Sequence, residues 1–192
     1  MDMMRNPGRR TILADAAVHV LAQQGSRGLT HRALDDDAGV PRGTSSNFFA
    51  TRDSIIDAIL VRIGQRLAPD PVVHAGLAGQ APGKKLFTAY MKDIVHRLTS
   101  DRDAALALFE LRLEATRRPH VEEAITAWLR AGLADDVALN TRMGLPGGEQ
   151  EIALFHYAIN GFILDQITVP VKPGVNRDEI IERFVQLLLH SE

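Results

Sequence analysis

Thr44, Ser45, Ser46 and Asn47 form a run of four short hydrogen-bonding side chains, with Arg42 just ahead and Phe48 and Phe49 just behind. On one turn of a helix, groups this short can reach base edges in a DNA groove. An Asn amide fits adenine bidentately, and an arginine fits guanine or phosphate. A helix face that is merely solvated carries the same residue types. Other chemistry is poorly served. The seven histidines, at positions 19, 31, 74, 96, 120, 156 and 190, are never three or four residues apart and sit in no metal-ligand motif. There is no phosphate-cradling Gly loop, no nucleophile elbow, no Glu-x-x-His pair of the di-iron kind and no cysteine. No catalytic residue and no metal or other cofactor is expected, and an enzyme is disfavoured.

The elements around that run follow from hydrophobic spacing. Apolar residues at 12, 16 and 20 and at 13, 17 and 21 share the four-residue period of a core-facing helix over 10–24, which Gly25 stops. Leu29 and Thr30 read as staple and cap of a short second helix reaching about Ala38. Gly39 and Val40 turn the chain, and Pro41 suits the entry of a third helix. Thr51, with Asp53 in the next turn, opens a fourth helix through Ile55, Ile56, Ile59, Leu60 and Ile63 to about Leu67. Three short helices ahead of it, the last two joined by a Gly turn, have helix-turn-helix spacing.

Residues 69–83, with Pro69, Pro71, Pro82, Gly76, Gly79 and Gly83, read as a loop. Beyond it the pattern predicts helices at about 84–99, 102–117, 119–142, 149–168 and 177–190, and no strand. The fold class is all-α: a three-helix head over residues 1–50 and a helical body over 51–192, about nine helices in all.

Bulk composition agrees. The 192 residues are 45% hydrophobic with a net charge of −2, so this chain would not coat nucleic acid indiscriminately. The charge is unevenly placed: residues 1–66 hold nine arginines against seven acids, and the rest 13 bases against 17 acids. The apolar stretch 12–22 is broken by Asp15 and His19, and no run nears the ~20 apolar residues that span a bilayer. No membrane partner and a cytoplasmic location are expected, the missing cysteines being compatible with a reducing compartment.

From Ile12 to Leu60 the chain resembles the DNA-binding head of TetR-type (tetracycline-repressor-like) transcriptional regulators. A helix ending in QQG is followed by LTHRAL, AGVPRGT, an aromatic pair and the helix start TRDSII. The family usually has Leu-Tyr where Ser45 and Ser46 stand, and a small residue at Asp35 where the two motif helices pack closely. The resemblance implies a repressor that binds a palindromic operator on double-stranded DNA as a homodimer and is released by a small-molecule effector. The competing expectation is a helical interaction module whose head, carrying Asp35, Asp36, Asp37 and the Ser45 substitution, no longer binds DNA.

Within the resemblance, Arg42, Thr44, Ser46 and Asn47 are the base-facing candidates, with Ser45 and Phe48 beside them. Thr30, Arg32 and Arg52, together with Arg9 and Arg10, are the phosphate candidates. The three consecutive carboxylates cannot share a helix face at 3.6 residues per turn. Asp36 and Asp37 read as solvated. Asp35 is expected either to accept a hydrogen bond from Ser45 or a recognition-helix amide, or to turn outward toward His31 or Arg32. The family's four-helix dimer interface maps onto Phe155, Ile159, Phe162 and Ile163 in the helix after residue 149, and onto Ile181, Phe184 and Leu188 in the last helix, with Gly161 allowing close approach. Tyr90, Phe109, Trp128, His156 and Asn160 are the effector-pocket candidates, each also an ordinary core residue by type.

Overall fold

The computed structural model describes residues 7–189, and His190 lies outside them. Ten α-helices and no strands are found among the described residues: α1 (Pro7–Gly28), α2 (His31–Asp37), α3 (Thr44–Phe48), α4 (Arg52–Arg66), α5 (Pro71–Ala78), α6 (Lys84–Ser100), α7 (Arg102–Ala115), α8 (Pro119–Arg142), α9 (Glu149–Ile167) and α10 (Arg177–Leu188). The all-α class expected from hydrophobic spacing is what the chain adopts.

Helix α5, one more than the nine expected, corrects the loop expected over 69–83. Asp70 caps α5, its carboxylate accepting from the amides of Val72 at 2.7 Å and Val73 at 3.3 Å, and Pro71 stands at the helix's first position. A proline there removes only an amide that has no helical partner, so it starts a helix instead of breaking one.

The chain divides into two compact units. One runs to Ala68 and adds Asp101–Trp128; the other comprises Pro69–Ser100 and the residues from Leu129 onward. In the first unit α1 packs on α2, α4 and α7, α2 on α3, and α4 on α7. Leu13, Val18, Leu21, Leu34, Phe49, Ile56, Ile59, Ile63 and Leu111 are all but sealed from solvent. Phe49 is 0% exposed and anchors the end of α3, a burial worth about 2–3 kcal/mol.

Helix ends in this unit are chemically specified. Thr51 and Ser54 form a reciprocal capping box at α4, with both amide-to-hydroxyl bonds at 3.1 Å. Asp101 caps α7 through the Ala104 amide at 3.1 Å and also takes the Arg66 guanidinium in two bonds of 2.6 and 2.8 Å. Arg62 grips Asp15 of α1 in the same bidentate way. At Gly25, where φ is 66° and ψ is −176°, the first helix is kinked.

In the second unit α6 packs against α5, α9 and α10, and α9 against α10. Phe87 and Phe155 meet as tilted rings 4.8 Å apart between centroids, in a core that includes Leu86, Val95, Ile152, Ile163, Ile181 and Val185. Lys92 of α6 holds α10 through Glu182 at 2.6 Å and Asp178 at 3.2 Å.

Candidate nucleic-acid interface

A five-residue helix has too few internal hydrogen bonds to hold itself, so α3 must be positioned by its neighbours. It has no side-chain cap from its own segment, and its N-cap residue, Gly43, sits at φ 87°. A Cβ at Gly43 would meet nothing within 4 Å, so the left-handed backbone and not crowding calls for glycine. The missing cap comes from α2. Asp35 is 1% exposed, and its two carboxylate oxygens accept from the amides of Gly43 and Ser45, each at 2.7 Å. Asp35 therefore faces inward onto amides at the start of α3, the first of its two expected orientations.

Ser45 is also fully buried. Its hydroxyl donates to the carbonyl of His31 at 3.0 Å, and His31 Nδ1 lies 3.2 Å from the Ser45 hydroxyl oxygen. This corrects the placement of Ser45 among DNA-facing residues: a side chain sealed between α2 and α3 cannot reach a groove.

The neighbours of Ser45 turn outward. Ser46 and Asn47 are exposed, Thr44 and Phe48 half-buried. The Thr44 hydroxyl donates to Pro41 at 2.5 Å and that of Ser46 to Gly43 at 2.8 Å, whereas the Asn47 amide makes no hydrogen bond among the described residues. Of the polar side chains of α3, Asn47 is the one whose donors and acceptor are free.

The arginines separate into two kinds. Arg32 and Arg42 are exposed, both loosely paired with Asp36 at 3.7 and 3.8 Å, contacts weak enough for phosphate to displace. Thr30 is exposed too, and caps α2 through the Ala33 amide at 3.2 Å. Arg52 is different, because partners within the chain compete for the guanidinium that was expected to meet phosphate. Its guanidinium donates to the carbonyls of Leu29 (2.8 Å) and Ser26 and to the Ser26 hydroxyl (2.7 Å), closing α4 onto the link between α1 and α2. Partial burial, and then the nearby Arg118, lower its pKa. Arg10 has a comparable duty: it donates to the Phe48 carbonyl at 3.1 Å and lies 4.9 Å above the Phe49 ring.

Sequence reasoning missed the cluster beside Arg52. Glu114 of α7 is buried. Burial opposes its ionisation, yet a hydrogen bond from Ser26 and the Arg118 guanidinium, whose Nε is 2.5 Å away, hold its carboxyl below the usual range. These residues edge an open polar cleft of about 1000 Å³ that also includes Gln24, Arg27 and Glu110. By spacing alone, Glu110, Arg112, Glu114, Arg117 and Arg118 read as i,i+3 and i,i+4 pairs on a solvated face. The Glu114–Arg118 pair exists, but α1 covers its acidic end, which no local spacing reveals.

Residues 82–191 match the family described as "Tetracyclin repressor-like, C-terminal domain". The chain belongs to the TetR family. It has the fold of that family's transcriptional regulators, and the match covers α6 to α10. Solved structures with the same fold include the multidrug binding protein EbrR in complex with imidazole (TM-score 0.69, 24% identity, 100% of this chain and 95% of that one). A TetR-family member from Streptomyces coelicolor A3 is similar at TM-score 0.73 and 24% identity, over 96% of this chain and 100% of that one. A transcriptional regulator from Rhodococcus sp. Rha1 aligns at TM-score 0.68 and 21% identity, over 94% and 93%. No curated protein matches the chain.

In this TetR-family chain the residues expected at the dimer interface fall into two groups. Phe155, Ile159 and Ile163 of α9 and Ile181 of α10 are between 0% and 6% exposed inside their own unit, where α9 meets α6 and α10. Phe162 and Phe184 are half-buried in an edge-on pair at 6.1 Å, and Leu188 is half-buried. What α9 leaves open is a different stripe, Leu154, Tyr157, Gly161 and Leu164, at helical spacing.

Of the effector-pocket candidates, Tyr90, His156 and Asn160 lie in the second unit. Tyr90 is buried with its ring edge-on to His74 at 5.2 Å, and His156 Nε2 is 3.0 Å from Asp136. Phe109 and Trp128 belong to the first, Phe109 beneath the Arg112 guanidinium at 5.9 Å and Trp128 against α4 at Gly64. No group of three or more His, Asp or Glu able to hold a metal occurs among the described residues, and no helix there is long and apolar enough to cross a membrane.

Proposed function

We propose that this chain represses transcription by binding a palindromic operator as a homodimer through the outward edge of α3, and that a small-molecule effector releases it. The supporting observation is the division of labour within α3. Ser45 and Phe49 face inward, which leaves Ser46 and the unbonded Asn47 on the outside with Arg42 alongside. Hydrogen-bonding groups held rigidly on an exposed edge are what direct base readout requires. In this reading residues 1–50 read DNA, while 51–192 carry effector binding and dimerisation. Tyr90, His156 and Asn160 would supply an aromatic wall and polar groups for the effector. EbrR is described as a multidrug binding protein, so organic molecules are the class to screen first. The effector would act by favouring a separation of the two heads that no longer matches successive major grooves about 34 Å apart.

One observation favours the competing module without DNA-binding function: Asp36 is exposed and already faces both Arg32 and Arg42. Footprinting on the DNA upstream of the chain's own gene, with binding repeated across salt concentrations, separates the two. A DNA reader protects a two-fold symmetric site and loses affinity steeply as salt rises. Absence of binding at low salt sinks the repressor.

A further inference from the structure

The polar edge of α3 can only read bases if something fixes how the helix is rotated and tilted. We infer that Asp35, which meets no DNA, sets operator specificity by capping α3 from the neighbouring helix; this rests on the proposed DNA-reading role of α3. A carboxylate is an acceptor only, and both of its oxygens are used: one takes the Gly43 amide and the other the Ser45 amide, at the first turn of α3. Bonds of 2.7 Å to an ionised acceptor are short and directional. The Ser45 hydroxyl adds a second attachment, to the His31 carbonyl at the start of α2. Two attachments on one inward residue leave α3 no freedom to roll. At about 100° per residue, fixing Ser45 inward fixes where Ser46 and Asn47 point. The helix has no cap of its own to replace this one.

A carboxylate that only stabilises the fold makes a different prediction from one that aims the helix. Asp35→Asn removes a negative charge from a surface that must approach phosphates, so charge alone tightens binding to every duplex. It also swaps an acceptor for an amide NH₂ that confronts a backbone donor, so α3 loses one of its two holds. Aiming therefore predicts weaker operator binding against the electrostatic trend.

The experiment measures dissociation constants of wild type, Asp35→Asn and Asp35→Ala for the footprinted operator fragment and for an unrelated duplex of equal length, at one salt concentration. Amide exchange of Gly43 and Ser45 is followed alongside that of α1. Both variants are expected to lose about tenfold or more in operator affinity, the scale of a lost bidentate base contact. The unrelated duplex is bound as tightly as before or tighter, and exchange quickens at Gly43 and Ser45 while α1 is unchanged. If Asp35→Ala fails to fold, Asp35→Asn and Ser45→Ala carry the test, the latter with a smaller loss because the two amide bonds remain. A folded variant that discriminates operator from unrelated DNA as well as wild type overturns the inference, as does parallel loss on both duplexes. A wild type with no preference for any duplex is a distinct result, which removes the DNA-reading role and this inference with it.

Discussion

Among single residues, the separation that matters is between polar groups already satisfied within the chain and those left free. Asn47 is free, so Asn47→Ala should cost about 1–3 kcal/mol of operator discrimination. Its unfolding free energy should stay within about 0.5 kcal/mol of wild type, as for a surface substitution. Arg52→Ala should do the reverse. Its guanidinium holds the carbonyls of Leu29 and Ser26, so urea denaturation should show a loss of about 1–3 kcal/mol. An Arg52→Ala chain of unchanged stability would return Arg52 to the phosphate contacts. Composition alone could not sort these two side chains. Asn47 is legible as polar and exposed from its place in the motif, but Arg52 meets partners 23 and 26 residues away, which no periodicity encodes. Ser45 was half legible: its neighbour Asp35 signalled an inward polar contact, while its position in a polar run suggested the groove.

At the scale of elements, the ends of helices hold the first unit together, and two carboxylates there set its response to acid. Burial opposes the charge on Asp101, but the Arg66 guanidinium and the Ala104 amide outweigh it and lower its pKa; Glu114 is lowered in the same sense. A carboxyl whose pKa is lower folded than unfolded contributes stability above the unfolded value and loses it as pH falls through the folded one. Wild type should therefore lose stability on acidification through and below the ordinary carboxylate range, and Glu114→Gln should show a flatter dependence there in denaturation midpoints taken from about pH 7 to about pH 3. Equal slopes for the two chains would show that the Glu114 contacts do not persist in solution. Asp101→Ala removes a cap and a bidentate arginine partner at once and should cost about 2 kcal/mol, with Asp101→Asn costing less because an Asn also caps. Most helix positions were legible because apolar spacing and caps agree along the chain. α5 was not, since its prolines and glycines outweighed the Asp70-Pro71 start signal, and it buries no residue that would leave an apolar stripe in the pattern.

For the whole molecule, the proposed dimer requires a face of α9 that its own unit leaves uncovered. Apolar residues surround this helix, so its hydrophobic pattern permits either face, and only packing shows that Phe155, Ile159 and Ile163 are used within the chain. The remaining stripe exposes Leu154 at 46%, Tyr157 at 72% and Leu164 at 41%, with Gly161 between them and nothing within 4 Å of where its Cβ would be. A glycine inside a helix costs about 1 kcal/mol relative to alanine, so an open position gains little from it unless another backbone comes close. Gly161→Glu should thus leave the isolated chain as stable as before or slightly more so. Across a two-fold interface it sets a carboxylate against close packing on both copies, and sedimentation velocity should show a monomer. With one recognition helix per particle the variant should retain weak binding to a half-site and lose the tight operator complex. Ile163→Ala should behave oppositely, costing about 2–5 kcal/mol of folding stability through a cavity in its own unit while the surviving folded chains still pair. A Gly161→Glu chain that sediments as a dimer would move the interface off this stripe, and with it the geometry by which an effector could change the separation of the heads.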